Sequence, residues 1–66
     1  MSRPASLRKD RQERLLTVAS ELFSRWGFDK TSMEDVAREA GISKGAVYLE
    51  FAGKEELFRG VLYREL

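Results

Sequence analysis

The chain has 66 residues and a formal net charge of +1, from 12 basic and 11 acidic residues, with no cysteine and no histidine. That length suits one small domain, and the missing side chains exclude disulfides, thiolate or imidazole metal sites and histidine-dependent catalysis. No apolar run approaches the roughly 18 residues of a membrane span, and the polar start of the chain does not resemble a signal peptide, so we expect a cytoplasmic protein without a membrane partner.

The positive charge is concentrated at the beginning of the chain. Residues 1–14 hold five basic and two acidic residues, a net charge of +3, and the remainder carries −2. A basic segment before a balanced body is typical of an arm that binds nucleic acid, although Met1–Ser6 also suits a solvated, disordered tail. We predict a flexible basic arm over residues 1–9 and one folded domain over residues 10–66.

A first helix is predicted over residues 7–26, because apolar side chains recur there with helical spacing. These side chains are Leu15, Val18, Ala19, Leu22, Phe23 and Trp26. Gly27 ends the helix, since glycine accepts the left-handed conformation that follows many helices. Phe28 then occupies the position from which an apolar side chain packs back on the last turn, here on Phe23.

A second helix is predicted over residues 32–40. Thr31 and Ser32 are both favourable N-cap residues with an acid three positions later, and Thr31 with Glu34 matches a capping box. Gly41 ends the helix. Its buried face consists of Met33, Val36, Ala37 and Ala40.

The third helix is predicted over residues 44–51, with Ser43 as its N-cap and with Val47 and Phe51 pointing inward. The fourth is predicted over residues 54–66. Its apolar face consists of Leu57, Phe58, Val61, Leu62 and Leu66. Because this pattern continues to the last residue, we expect the natural protein to extend into a further domain that is absent here. Gly60 weakens the helix by roughly 1 kcal/mol relative to alanine.

The second and third helices, joined by a short turn, indicate a helix-turn-helix. Ala37 is small where two crossing helices approach, Gly41 supplies a positive φ in the turn, and Ile42 and Val47 fill the wedge between the helices. An ordinary helical corner in a bundle has the same spacing. The fold predicted is all-α, a three-helix, homeodomain-like helix-turn-helix domain with the start of a fourth helix.

Three residues at helix beginnings are hard to explain by folding alone. Lys44 and Lys54 each place a cation in the first turn of a helix, where it opposes the helix dipole unless a phosphate approaches. Gly45 lies inside a short helix at a cost of ~1 kcal/mol, which is explained if a partner approaches the backbone closely. Lysines directed to water and neutral variation at Gly45 are the alternatives.

The outer side of the third helix is small and apolar. Tyr48 offers a hydroxyl to a phosphate, and Ala46 and Leu49 fit the methyl group of thymine. Packing of Tyr48 on the first helix, or on a missing part of the protein, is the alternative.

These segments resemble the N-terminal domain of TetR-type bacterial transcriptional repressors. The resemblance rests on Thr31–Phe51, TSMEDVAREAGISKGAVYLEF, on Lys54–Phe58, KEELF, and on the upstream Ala19-x-x-Leu22-Phe23 and Gly27-Phe28. It covers about residues 11–62.

The resemblance implies a set of DNA contacts, position by position. The start of the second helix would contact phosphate, the start of the third would meet the major groove, and Tyr48 and Lys54 would bind phosphate while Leu49 lies against backbone or base. The implied DNA-binding residues are Thr31, Ser32, Ser43, Lys44, Gly45, Ala46, Tyr48, Leu49 and Lys54.

Two residues depart from the family pattern. Glu50 stands where the family often has histidine, and an acid near phosphates is unfavourable unless it turns away or accepts a hydrogen bond from cytosine. Glu34 stands where some members have an arginine that reads a base. Both departures indicate readout centred on the third helix.

The resemblance implies a ligand-responsive repressor that binds a palindromic operator in double-stranded DNA. The absent C-terminal domain would form the homodimer and bind a small-molecule inducer. We expect no enzymatic activity, no cofactor and no metal, because the sequence has no nucleophile paired with a base and no phosphate-binding glycine loop.

Two other binding functions are compatible with a small helical domain. A homeodomain fits the length and the basic arm, but the third helix is short and lacks the asparagine that reads adenine. A helical protein-interaction module would use Tyr48, Leu49 and the fourth helix. Its binding would change little with salt, whereas DNA affinity falls steeply with salt.

Overall fold

The computed structural model describes the backbone of residues 4–66 and the side chains of residues 7–66. Its helices are α1 (Pro4–Trp26), α2 (Met33–Ala40), α3 (Lys44–Glu50) and α4 (Lys54–Glu65). The predicted all-α fold with a helix-turn-helix is therefore confirmed, and α2, α3 and α4 agree with their predicted bounds within one residue at each end.

The first helix begins at Pro4, three residues before its predicted start, so residues 4–9 of the predicted arm are helical. Proline suits the first turn of a helix, where its missing N–H needs no partner. The rest of the arm, residues 1–3, lies outside the described residues.

The core is formed by buried apolar side chains from all four helices. Its members are Leu15, Leu16, Val18, Ala19, Leu22, Met33, Val36, Ala37, Ala40, Val47, Leu57 and Val61. The predicted stripe of α1 is confirmed except at its end, where Trp26 is 59% exposed. Trp26 is the last residue of α1, and its ring lines an open groove beside polar side chains of α2 rather than the core.

An aromatic cluster closes the corner between α1 and α2. Gly27 has a φ of +91°, and its N–H donates to the Phe23 carbonyl at 2.9 Å. The ring of Phe28 then packs on Phe23, with centroids 5.4 Å apart, as predicted, and on Phe58 of α4 at 5.3 Å. This corner therefore attaches the end of α1 to the first half of α4.

The capping box of α2 is one residue later than predicted. The N-cap is Ser32, whose Oγ accepts from the Asp35 N–H at 3.1 Å while the Ser32 N–H donates to Asp35 Oδ2 at 2.9 Å. Hydrogen bonds to the Asp35 carboxylate lower its pKa, with the Ser32 backbone N–H as the larger cause and the Ser32 hydroxyl as the second. Thr31 is buried instead, so the pairing of Thr31 with Glu34 is wrong.

Gly60 allows α4 to approach α1 closely. A Cβ atom at this position would lie 2.8 Å from Cδ2 of the buried Leu16 and 3.4 Å from Cε1 of Phe51. The glycine therefore weakens the isolated helix but serves the packing of two helices. Within residues 4–66, no helix is long and apolar enough to cross a membrane.

Candidate nucleic-acid interface

The turn between α2 and α3 fixes the position of α3. Gly41 has a φ of +75°, and its N–H donates to the carbonyls of Ala37 and Arg38. The Ile42 N–H also donates to the Ala37 carbonyl, at 3.1 Å, and Val47 of α3 is fully buried against the core. As a result, α3 has one anchored side and one free side.

The free side of α3 is small and apolar, as predicted. Lys44, Gly45, Tyr48 and Leu49 are exposed, and Leu49 is 73% exposed. Ala46 is partly buried at the edge of this surface. Tyr48 is 45% exposed, so its side chain is not part of the buried core.

Among the side chains of residues 7–66, Gly45 has no neighbour that requires a glycine. A Cβ atom there would meet only the Ser43 Oγ, at 4.0 Å, and the φ of Gly45 is not positive. Any residue would fit, and most would favour the helix more. The cost of glycine is therefore not explained by packing within the domain.

The hydroxyl groups of Ser32 and Ser43 occupy equivalent places at the starts of α2 and α3. Ser43 Oγ accepts from the Ala46 N–H at 3.1 Å, as Ser32 Oγ accepts from the Asp35 N–H at the same distance. Both serines are exposed. The Ser43 hydroxyl accepts in its cap and still has an O–H that can donate to a phosphate oxygen. The Ser32 O–H is shared with the Asp35 carboxylate, whose pKa it helps to lower.

Thr31 does not belong to this surface, and the prediction that it contacts DNA beside Ser32 is wrong. Thr31 is 2% exposed. Its Oγ1 donates to the Gly27 carbonyl at 2.8 Å and lies 3.3 Å from the Leu22 carbonyl. The hydroxyl closes the corner between α1 and α2 instead.

Lys54 is partly committed to the fold. Its Nζ donates to the Phe28 carbonyl at 2.6 Å and lies 4.3 Å from the centroid of the Phe28 ring. The alternative in which this lysine points simply to water is therefore wrong. An ammonium has further N–H donors, so one hydrogen bond does not exhaust its capacity to bind phosphate.

Glu50 turns away from the free side of α3. Its side chain is 3% exposed, and its carboxylate accepts from Gln12 Nε2 at 2.9 Å and pairs with Arg8 and Arg11 at 3.4 Å. The departure from the family pattern at this position therefore places no bare carboxylate on the surface. Glu34 is exposed in the first turn of α2, where the helix dipole favours an acid.

Arg8, Arg11 and Gln12 are the residues near this site that the sequence did not single out. They share a helical face with Leu15, so their spacing places them where α1 meets the rest of the domain. That spacing was available in the sequence. Their partner was not, because Glu50 is 38 or more residues away along the chain.

Comparison with known proteins agrees with this geometry. Residues 15–61 match the family model described as bacterial regulatory proteins, tetR family. A TetR-family transcriptional regulator from Haemophilus influenzae superposes with a TM-score of 0.79 at 32% identity, over 94% of this chain and 33% of that one.

Curated relatives give the same result. The chain is 46% identical over 52 residues to the regulator YfiR of Bacillus subtilis, covering 79% of this chain and 25% of the relative. It is 38% identical over 50 residues to the regulator AcrR of Shigella flexneri, covering 76% and 23%. It is 39% identical over 59 residues to the transcriptional activator FasR of Mycolicibacterium smegmatis, covering 89% and 27%. The chain thus spans about a quarter of the length of these relatives.

Proposed function

Because this chain belongs to the TetR family of bacterial regulatory proteins and forms the DNA-binding helix-turn-helix domain of a transcriptional regulator, we propose that α3 lies in the major groove of double-stranded DNA. The family consists of regulators rather than enzymes, so the function of this domain lies in binding. The proposed contact residues are Ser32, Ser43, Lys44, Gly45, Ala46, Tyr48, Leu49 and, through its remaining donors, Lys54.

The observation that carries this proposal is the free side of α3 at Gly45. Glycine is unfavourable within a helix, and the described part of the chain leaves the space around Gly45 open. A partner that approaches the helix backbone closely accounts for the missing side chain. The edges of base pairs in a major groove are such a partner, because an α-helix fits that groove.

The neighbouring side chains divide into two groups by chemistry. The serine hydroxyls, the Lys44 ammonium and the Tyr48 hydroxyl suit phosphate oxygens, which set the position of the domain on the duplex. Ala46 and Leu49 are apolar and suit thymine methyl groups, which contribute to sequence readout.

For the whole protein we propose a ligand-responsive repressor. Two copies of this domain would bind the half-sites of a palindromic operator about 34 Å apart, one helical turn. The relatives are about three times as long as this chain, which supports a further domain that forms the homodimer and binds the inducer. One relative is named an activator. A promoter-reporter measurement tests repression, which predicts lower expression when the protein is present.

The experiment for this domain is a titration with a short mixed-sequence duplex, followed by NMR amide shifts and fluorescence anisotropy. We expect shifts at Ser32, Lys44 and Gly45, and weaker binding at about 200 mM than at about 50 mM salt. A folded chain whose α3 amides do not shift at low salt contradicts the proposal. Binding that is insensitive to salt would favour the protein-interaction module.

Gly45→Ala is the decisive variant. Alanine stabilises a helix by up to ~1 kcal/mol relative to glycine, so the variant is expected to unfold at higher urea than the wild type. We expect its DNA affinity to fall several-fold, because the added methyl group lies between α3 and the bases. If the variant is more stable and binds DNA less tightly, unfolding cannot explain the weaker binding. If its DNA affinity is unchanged, DNA does not approach the helix backbone closely at Gly45.

A further inference from the structure

The buried carboxylate of Glu50 organises two arginines at the beginning of α1. Glu50 is the last residue of α3, and its Oε1 lies 3.4 Å from Arg8 Nε while its Oε2 lies 3.4 Å from Arg11 Nη1. Burial of a carboxylate is costly unless it is paired and hydrogen-bonded, and here both conditions are met. The arginines remain accessible, with side-chain exposures of 66% for Arg8 and 41% for Arg11.

These side chains line an open groove between α1 and the end of α3. The groove has a volume of about 530 Å³ and is lined by Leu7, Arg8, Arg11, Leu49 and Glu50. Leu49 also belongs to the free side of α3, so the groove continues the proposed DNA surface. A duplex that contacts Leu49 would bring its backbone to the arginines.

The chemistry of the groove fits a deoxyribose-phosphate. Each guanidinium gives one nitrogen to Glu50 and keeps further N–H donors, and the three charged groups together have a net charge of +1. The exposed side chains of Leu7 and Leu49 provide apolar walls beside these donors. A small inorganic anion has no apolar atoms that could contact these leucines. A sugar-phosphate has apolar carbons next to its anionic oxygens and can contact both the leucines and the arginines.

We propose that Arg8 and Arg11 together bind one phosphate of the DNA backbone beside the groove that α3 enters, and that Glu50 is the positioning residue that holds them there. This inference rests on the proposed function. It adds α1 to the DNA-binding surface and gives Glu50 a role in affinity without direct contact with DNA.

The arginines are tested by counting phosphate contacts. Because phosphate contacts do not depend on base sequence, a mixed-sequence duplex is a sufficient probe. For the chain with Arg8→Gln and Arg11→Gln combined, we expect several-fold weaker binding at low salt. The slope of log K against log salt should become shallower by about 1.

Arg64→Gln is the control for the loss of a paired arginine elsewhere on the domain. Arg64 is also paired with a glutamate, Glu13, at 3.5 Å, and its replacement removes one positive charge at the opposite end of α4 from Lys54. We expect its salt slope to equal that of the wild type. If the arginine variants keep the wild-type slope, or if Arg64→Gln changes it equally, the phosphate site is overturned.

Glu50→Gln tests the positioning role by the sign of its effect. The variant removes a negative charge, so charge alone predicts tighter binding to DNA. Positioning predicts several-fold weaker binding, because glutamine no longer pairs with the guanidinium groups. When Glu50→Gln is added to the chain that carries Arg8→Gln and Arg11→Gln, it should cause no further loss of DNA affinity. Tighter binding by Glu50→Gln, or a loss that persists in that chain, overturns the role, with circular dichroism confirming that each variant is folded.

The two proposals fail in different ways. If Gly45→Ala weakens binding and the arginine variants do not, the arginine site fails while the function of α3 stands. If the wild-type chain is folded and does not bind the duplex at low salt, both proposals fail.

Discussion

Thr31 and Ser32 are adjacent hydroxyl residues before α2, and the fold uses them for different purposes. The Thr31 hydroxyl is buried and donates to the Gly27 carbonyl at 2.8 Å, whereas the Ser32 hydroxyl is exposed and caps α2. One residue therefore stabilises the corner between α1 and α2. The other lies at the surface at the start of α2, where a partner can reach it.

Thr31→Val separates these roles. The change keeps the shape of the side chain and removes the donor, so we expect the free energy of unfolding to fall by about 1 kcal/mol. DNA affinity of the folded variant should equal that of the wild type, because Thr31 does not face the partner. Urea unfolding followed by circular dichroism and duplex binding by anisotropy check both parts.

Ser32→Ala is the comparison for this prediction. Loss of the cap costs a similar ~1 kcal/mol, but the variant should also bind DNA less tightly. If Thr31→Val weakens binding as much as Ser32→Ala does, the assignment of Thr31 to the fold alone is wrong.

The sequence could not choose between the two hydroxyl residues. Thr31 with Glu34 and Ser32 with Asp35 both have the spacing of an N-cap and an acid, so the local pattern fits either. The choice is made by the Gly27 carbonyl, which accepts the Thr31 hydroxyl once α1 and α2 are packed. The position of Glu50 was equally unpredictable, because its partners lie near the other end of the chain.

At the level of the elements, local signals predicted the short helices well. α2 and α3 both begin after a serine cap, and Gly41 ends α2 in the left-handed conformation that its lack of a side chain permits. The ends of α1 were predicted less well. A helical stripe predicts which face is buried, but it does not tell how far the partner helices extend along that face. The stripe therefore included Trp26, which is exposed.

The capping box of α2 makes the start of this helix sensitive to acid. Hydrogen bonds from Ser32 lower the pKa of Asp35 in the folded chain, and Arg38 contributes further. A lowered pKa in the folded state means that the carboxylate stabilises the fold above the pKa of the unfolded chain. This stabilisation is lost as the pH falls below about 4 and through the folded value.

Asp35→Asn is therefore expected to reduce the dependence of stability on acid. Urea unfolding of the wild type and the variant between about pH 7 and about pH 2 measures this dependence. The gap between the two curves should be widest near neutral pH and should close in acid. Parallel curves over the whole range would contradict a role for the ionised carboxylate.

At the scale of the whole molecule, helix propensity does not predict the contact between α1 and α4. Propensity alone counts Gly60 as a cost to α4, yet the space for its Cβ is already occupied by Leu16 and Phe51. Leu16 and Gly60 are 44 residues apart in the sequence, so their close approach is not visible in either segment. The fold class was predictable because periodicity and caps are local, whereas the distance between helices is not.

Gly60→Ala should therefore destabilise the domain. Alanine gains up to ~1 kcal/mol of helix propensity, but overpacking against Leu16 costs about 1–3 kcal/mol. We expect a net loss of about 1 kcal/mol in urea unfolding. Gly45→Ala, with open space around its Cβ, is the matched control and should change stability in the opposite direction. A gain at both positions would show that α4 moves away from α1 at no cost.

Trp26 is the single tryptophan of the chain, and its exposure has a spectroscopic consequence. Its indole is largely in water in the folded state and fully in water in the unfolded state, so its emission wavelength changes little on denaturation. Helical ellipticity is the better reporter of stability for this domain. Trp26 lines a groove between α1 and α2 together with Lys30 and Arg38. Quenching of its fluorescence therefore reports the binding of a molecule in this groove.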